Sequence, residues 1–276
     1  MNIFVTGASS FIGKNFCKLA IKNGFFVYAL SRKKNIFFSK NKNCKMLVGK
    51  LTDNWNKELK KTNLLIHFAS AGPLTKNKEE IFDVNIFDSL KLFENAINCN
   101  CKKWLVISSS SEYGFRNKKF YSFSKNENRL PDNEYGLSKA IFTDLIISLA
   151  KKEGCKVRVL RLFPVYGNGE NENRLYPSLM NSIKKKIPFF VKNPTEKRDF
   201  TSINYAVRRI LSACNFNLNK FNFFQVWNVS EQNVKSVKAF VIELWKKNRG
   251  SNKIIFNKNT KNFCNHVSKK NSIWSH

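Results

Sequence analysis

Tyr135 and Lys139, in the stretch NEYGLSKA, stand four residues apart, so on a helix they share one face with a single turn between them. A lysine ammonium close to a phenol lowers the cost of the phenolate and makes the tyrosine an acid or base near neutral pH. Upstream, ISSSSEYG (Ile107 to Gly114) ends an apolar run, and a serine there, Ser109, could hold a reacting oxygen. Taken singly, a Tyr and Lys at this spacing also suit an ordinary solvated helix surface.

A second constellation opens the chain. TGASSFIG, Thr6 to Gly13, follows the strand-like NIFVT and leads into the amphipathic IGKNFCKLAIKNG. The amides of such a turn and the positive end of the helix dipole face one point, which suits a pyrophosphate. Gly7 permits the tight turn and Gly13 lets helix and strand pack closely; Ser10 stands where a third glycine is usual, with a hydroxyl able to donate to a phosphate oxygen. The same residues would also serve a plain strand-turn-helix corner. At the end of the second strand, ALSRKKN offers Ser31, Arg32 and Lys33 and no carboxylate. A carboxylate there binds the ribose 2′-hydroxyl of NAD, whereas a basic residue accommodates the 2′-phosphate of NADP, so NADP(H) is favoured and NAD(H) stays open. The missing acid carries this reading, because lysine is abundant everywhere in the chain.

The elements that must position these residues alternate. Short apolar runs (NIFVT, FFVYALS, CKMLVG, NLLIHFA, KKWLVISS, VRVLRLF) are separated by helical patterns, among them one near Glu79 to Asn98 and one at Glu134 to Lys152. Near-continuous apolar strands between helices predict an α/β fold, a doubly wound parallel sheet of Rossmann type covered on both faces. Residues 1–163 make its dinucleotide-binding domain, and residues 164–276 a smaller, mainly substrate-binding lobe with some segments returning to the sheet. A helix at NYAVRRILSAC, a strand QVWNVS and a helix from Val237 to Lys247 belong to this second part.

The formal charge of +30 over 276 residues suits a polyanionic partner such as nucleic acid or an anionic membrane. The excess is lysine spread along the chain together with Asn, Phe and Ile, the residues of AT-rich codons, and compositional drift explains it better than a selected basic face. Seven cysteines and three histidines show no metal-ligand spacing, which predicts reduced thiols and no metal site. No charged leader precedes NIFVTG, and the longest apolar helical stretch, AIFTDLIISLA, is shorter than the roughly 20 residues of a membrane span. A soluble, cytoplasmic protein without a membrane span is expected.

The order of cradle, serine-rich strand end and Y-x-x-x-K resembles the extended short-chain dehydrogenase/reductases, specifically the NAD-dependent epimerase/dehydratase family that modifies nucleotide sugars. The resemblance runs from residue 1 to about residue 230 and includes LLIHFASAG, Asn85, SSSSEYG, YGLSK, RLFPVYGNG and the RDF between Glu196 and Ser202. It implies that Tyr135 and Lys139 are the catalytic pair, that Lys139 also holds the nicotinamide ribose, and that Ser109 orients the substrate. It lays the cofactor along Gly7, Ser9, Ser10, Phe11, Ile12, Gly13, Ser31, Arg32, Asp53 and Ala69, and gives Ser110 and Arg198 to a nucleotide-sugar substrate. His67 is either a family marker near the cofactor or a satisfied histidine of the sheet, with the structural role favoured; Asn85 likewise ties helix to strand. Lys50 departs from an aspartate usual near the adenine, Pro164 from an asparagine that bonds substrate phosphates, and the chain stops at NSIWSH, close to where relatives continue, as a shortened lobe or a truncated gene product would.

The same resemblance separates reactions. Dehydratases carry an Asp-Glu pair where this chain has Ser110 and Ser111, and C3/C5 epimerases a cysteine in place of Ser111. What remains is hydride transfer at C4 with Tyr135 moving the proton: a 4-keto-sugar reductase, favoured by the NADP-leaning strand, or a 4-epimerase with tightly held NAD. A non-catalytic dinucleotide- or RNA-binding protein on the same fold is the rival class, and the intact Ser109, Tyr135 and Lys139 argue against it, so nucleic acid is not the expected partner. Leu137, Ile141, Leu145 and Leu149, with Phe142 and Ile146 alongside, give one helix more apolar surface than a sheet contact uses, which predicts a homodimer through this helix and the one near Asn85.

Overall fold

The computed structural model describes residues 1–116, 121–217, 221–258 and 267–274. Six strands come first: β1 (Asn2–Thr6), β2 (Phe26–Ser31), β3 (Cys44–Val48), β4 (Leu64–His67), β5 (Lys103–Ser109) and β6 (Lys156–Leu162). The chain then passes through short strands β7 (Val165–Tyr166), β8 (Phe189–Val191), β9 (Lys197–Asp199) and β10 (Thr201–Ser202) and returns as β11 (Phe224–Val229), followed by β12 (Val234–Ser236) and β13 (Ile254–Phe256). β11 pairs with β6, completing a seven-stranded parallel sheet ordered β3-β2-β1-β4-β5-β6-β11. Winding reverses between β1 and β4, so the C-terminal ends of these strands open a crevice there.

The helices are α1 (Phe11–Lys22), the short α2 (Ile36–Ser39), α3 (Asn56–Leu59) and α4 (Lys78–Phe82), then α5 (Ser89–Asn98), α6 (Glu134–Lys152), α7 (Leu175–Lys185), α8 (Ile203–Ala213) and α9 (Val237–Lys247). Phe16 of α1 and Val207 and Ile210 of α8 pack on Ile3, Val5 and Leu105. On the other face, Phe93 of α5 and Phe142 and Ile146 of α6 pack on Phe4, Trp104 and Val159. Both faces of each central strand are therefore dry, which is why these strands read as unbroken apolar runs. A separate cluster of Leu179, Val191, Phe200 and Phe240 forms the core of the smaller lobe, with the Phe200 and Phe240 rings stacked 3.8 Å apart.

Two helices matter most for the site. The α6 helix starts where Asn133 accepts the Gly136 N–H at 2.8 Å, and it carries Glu134 in the first turn and Lys151 and Lys152 in the last, both favourable to its dipole. Tyr135 thus sits in the first turn, at the crevice end. The single helix expected near Glu79 to Asn98 is instead α4 and α5 joined by a π-helical segment, Asp83–Asp88. Its wider turn carries Asn85 inward, where it accepts from the Ala71 N–H (2.8 Å) and the Ser70 hydroxyl (3.0 Å) and donates to Ser138 Oγ (2.9 Å) and the Ala71 carbonyl (3.1 Å). These bonds offset the disturbed helical ladder.

Ile273 bridges β11, and the fully buried Trp274 donates to Ser212 Oγ at 2.9 Å, packing the end of the described chain into the sheet core. Cys264, His266 and His276 lie outside the described residues. The other cysteines are free thiols, and among the described residues no group of side chains could hold a metal ion and no helix is long and apolar enough to cross a membrane.

Candidate active site

The turn after β1 is shaped by contacts that exclude side chains. Gly7 has φ +61°, and a Cβ there would lie 2.7 Å from the Ala69 nitrogen, while a Cβ on Gly13 would collide with the Gly7 carbonyl. Ser10 is the N-cap of α1, its hydroxyl accepting the Gly13 N–H at 3.1 Å, so the serine found where a glycine is usual starts the helix. The amides of Phe11 and Ile12 belong to the first turn, which a helix leaves without intrahelical partners. The Ser9 and Ser31 hydroxyls meet at 2.6 Å and tie the turn to the end of β2. Gly7, Ser9, Ser10, Ser31, Arg32 and Ala69 line one cavity of about 990 Å³ over the crevice. Bare amides, a helix N-terminus and a cradle that any Cβ would fill match the needs of a dinucleotide's pyrophosphate.

Ser70 links this cavity to the prospective chemistry, because it lines the wall, hydrogen-bonds Asn85 and bears on the Tyr135 phenol. Burial pushes the Tyr135 phenol up; a hydrogen bond with Ser109, the charge of Arg174 and the bond with Ser70 pull it back. The Ser109 hydroxyl also accepts the Ser111 N–H at 3.1 Å, which fixes it in the turn after β5. Lys139 is buried and donates to the Ile107 carbonyl at 3.2 Å. Burial brings its pKa down to about 8, against the opposing charge of Glu112, so it is mostly cationic at neutral pH.

His67 is held neutral in the sheet. Burial and the Lys139 charge hold it down at about 3, and both ring nitrogens are engaged, with Thr6 Oγ1 at 2.9 Å and Ser89 Oγ at 3.0 Å. Since Ser89 donates to the Val84 carbonyl, it accepts from Nε2–H, which assigns the tautomer from the network.

A group that the sequence reading overlooked lies directly beneath. Glu112, in the 3-10 turn Ser110–Tyr113, is wholly buried and accepts from the Ser108 hydroxyl, Thr143 Oγ1 (2.8 Å), Arg161 Nε (2.9 Å) and an Arg129 guanidinium nitrogen (3.3 Å). Ser108 neighbours Ser109 on β5, and Thr143 lies one turn beyond Lys139 on α6, so one carboxylate clamps the strand to the helix. Arg129 extends the clamp to the Ala140 carbonyl (3.0 Å) and Asp144 (2.6 Å). The signal was present: Arg161 interrupts an apolar strand, and a charge in such a strand demands a buried partner.

Other expected residues lie apart. Asp53 accepts the Lys50 N–H at 2.8 Å and braces its own turn, while Lys50 lines the cavity. Ser110 is buried. Arg198 is held by both oxygens of Glu196, at 2.8 Å each. The side chain of Arg32 is 81% exposed and stands 3.8 Å from Glu80, which α4 brings to the cavity wall with Glu79, while the π-helical segment adds Asp83 and Asp88. The end of β2 lacks a carboxylate, yet the fold delivers one from another element.

Residues 3–229 match the NAD dependent epimerase/dehydratase family. The chain is 30% identical over 225 residues to a UDP-glucose 4-epimerase of Vibrio cholerae, covering 76% of this chain and 66% of that protein. It is 28% identical over 210 residues to a GDP-6-deoxy-D-talose 4-dehydrogenase of Aggregatibacter actinomycetemcomitans, covering 74% and 67%. The chain thus spans about two thirds of the length of these curated relatives. The solved structure of UDP-glucuronic acid 4-epimerase from Bacillus cereus with UDP-glucuronic acid and NAD superposes with a TM-score of 0.86 at 22% identity, covering 99% of this chain and 91% of that one, a likeness of fold.

The clamp has a measurable weight. Glu112→Gln leaves two guanidinium groups without their buried counter-charge, and urea unfolding is expected to show a loss of about 3–5 kcal/mol. Arg161→Met in the same background should recover part of it. A single-variant loss below about 0.5 kcal/mol would mean that the seam is held by something else.

Proposed function

The chain belongs to the NAD-dependent epimerase/dehydratase family, and on that premise we propose that it transfers a hydride at C4 of a nucleotide-linked hexose, as a 4-keto-sugar reductase. The observation that carries this is the meeting of Ser109, Tyr135 and Lys139 beside the cavity, with plain serines at 110 and 111. A bound nicotinamide dinucleotide supplies the hydride. Ser109 orients the sugar carbonyl oxygen, and Tyr135 gives that oxygen its phenolic proton as the carbon is reduced, so carbonyl, hydride and proton balance to a carbinol. Cationic Lys139 favours the phenolate left behind. Residues 164–276 form mainly the proposed substrate lobe, with α8, β11 and Trp274 returning to the sheet core; Arg198 is the proposed pyrophosphate contact, exchanging Glu196 for phosphate oxygens, and buried Ser110 supports the turn that carries Ser109. In a screen of nucleotide 4-keto sugars with NADPH and NADH, Tyr135→Phe should bind dinucleotide normally and lose turnover by about 10²–10⁴. Near-normal turnover in that variant would remove Tyr135 from the mechanism.

The second reading is a nucleotide-sugar 4-epimerase with tightly held NAD, favoured by Glu80 opposite Arg32. A carboxylate on that wall opposes a 2′-phosphate, whereas Arg32 attracts one. If Arg32 prevails, calorimetry should show NADPH binding about tenfold to a hundredfold tighter than NADH. Arg32→Ala should then abolish the preference and Glu80→Gln widen it. Equal binding that neither change alters would put the epimerase first.

We also propose a homodimer. Leu137, Leu145 and Phe87 are exposed at 41%, 38% and 59%, with Ile141 and Leu149 half-buried between them, while Phe142 and Ile146 are spent on the core. Light scattering at micromolar concentration should return twice the chain mass. A monomer there would reject the pairing.

A further inference from the structure

Residues 167–174, between β7 and α7, lie against the mouth of the cradle. A Cβ on Gly167 (φ +152°) would stand 2.5 Å from Ile203 and 3.8 Å from the Phe11 ring, and one on Gly169 (φ +90°) 3.9 Å from the same ring. Glu170 follows at once, its N–H bonded to the Gly167 carbonyl at 3.3 Å. Its side chain is only 9% exposed. One carboxylate oxygen, Oε1, accepts from Arg174 Nε at 3.2 Å. The other, Oε2, is buried without a hydrogen-bond partner, the one such side-chain atom among the described residues.

A buried carboxylate oxygen with no donor is costly, and folded proteins keep such atoms where something else supplies the donor. Burial pushes the Glu170 carboxyl up, and Arg174 is the first influence holding it down. The charge of Arg174 also reaches the Tyr135 phenol. Glu170 is thus bonded to an arginine whose charge reaches the tyrosine proposed to protonate the substrate, and the turn that carries it packs against Phe11 at the start of the cradle helix. An ionised carboxylate only accepts hydrogen bonds, so its ligand must bring an O–H or N–H, and a phosphate is excluded by charge.

We propose that Glu170 reads the sugar: its inner carboxylate oxygen accepts a hydrogen bond from a hydroxyl of the hexose presented to Tyr135, while Arg174 fixes the carboxylate from behind. This rests on the site reading given under Proposed function. A pocket built around one substrate hydroxyl rejects analogues that lack it, because the buried oxygen is then orphaned again. Glu170 would thus decide which hexoses are accepted, while the pyrophosphate and dinucleotide contacts lie elsewhere.

The test uses the full chain, wild type and Glu170→Gln, titrated calorimetrically with NADH, with UDP, dTDP and GDP, and with the corresponding hexose conjugates in the presence of NADH. The amide can satisfy Arg174 with its oxygen but presents N–H groups inward. The expected result is a loss of about tenfold to a hundredfold on the hexose conjugate that binds wild type, with bare diphosphate and NADH unchanged. Among deoxyhexose conjugates, one should be discriminated by wild type and not by the variant. An equal loss on bare diphosphate, a loss confined to NADH or an unchanged conjugate affinity would each overturn the assignment. Wild type that binds no hexose conjugate would overturn the proposed function itself, and this inference with it.

Discussion

A single carboxylate, Glu112, holds the seam on which the site depends. Removing a charge from water is costly, and the fold meets that cost with two arginines and two hydroxyls converging from β5, β6, α6 and the segment before it. A buried ionic cluster is a poor source of net stability but tolerates little displacement, since each broken contact leaves a charge unpaired. Ser109 hangs from one side of this cluster and Tyr135 and Lys139 from the other. Their mutual geometry is thereby set by buried groups bonded to one another. The Glu112 charge also opposes the effect of burial on Lys139, so the clamp and the electrostatics of the site are one arrangement.

The second constraint is the approach of backbone to backbone at the switch point. Gly7 against Ala69 and Gly13 against Gly7 leave no room for a side chain, and this draws the ends of β1 and β4 and the start of α1 into one concave surface of amides. The π-helical turn at Asn85 secures the opposite rim, with Ser70 and Ser138 bonded to the same amide group. Rim, cradle and the start of α6 are then one connected hydrogen-bonded body.

Charge behaves differently locally and globally. The chain carries a formal +30, yet the wall facing Arg32 is lined by Glu79, Glu80, Asp83 and Asp88. The field at this wall is set by a few groups at short range. The lysine excess, mostly exposed and screened within about 10 Å at ordinary ionic strength, contributes little there.

Sequence alone determined what local periodicity and local sterics determine. The parallel sheet followed from apolar runs too continuous to face water. The helix at Glu134–Lys152 followed from its helical pattern, and the Gly7–Gly13 corner from residues that a tight turn requires. The Tyr135–Lys139 pairing is a property of any helix. Tertiary structure decided what depends on residues distant in sequence: that Glu112 takes Arg161, 49 positions away, that Asn85 takes Ser138, 53 away, and that Glu80 faces Arg32 across the cavity. It also decided that Asp53 and Arg198 bond within their own segments and that one oxygen of Glu170 is left bare. Periodicity specifies which face of an element is apolar, whereas the polar partner a side chain meets is fixed by strand order and by the path of the loops, and those emerge only when the whole core is packed.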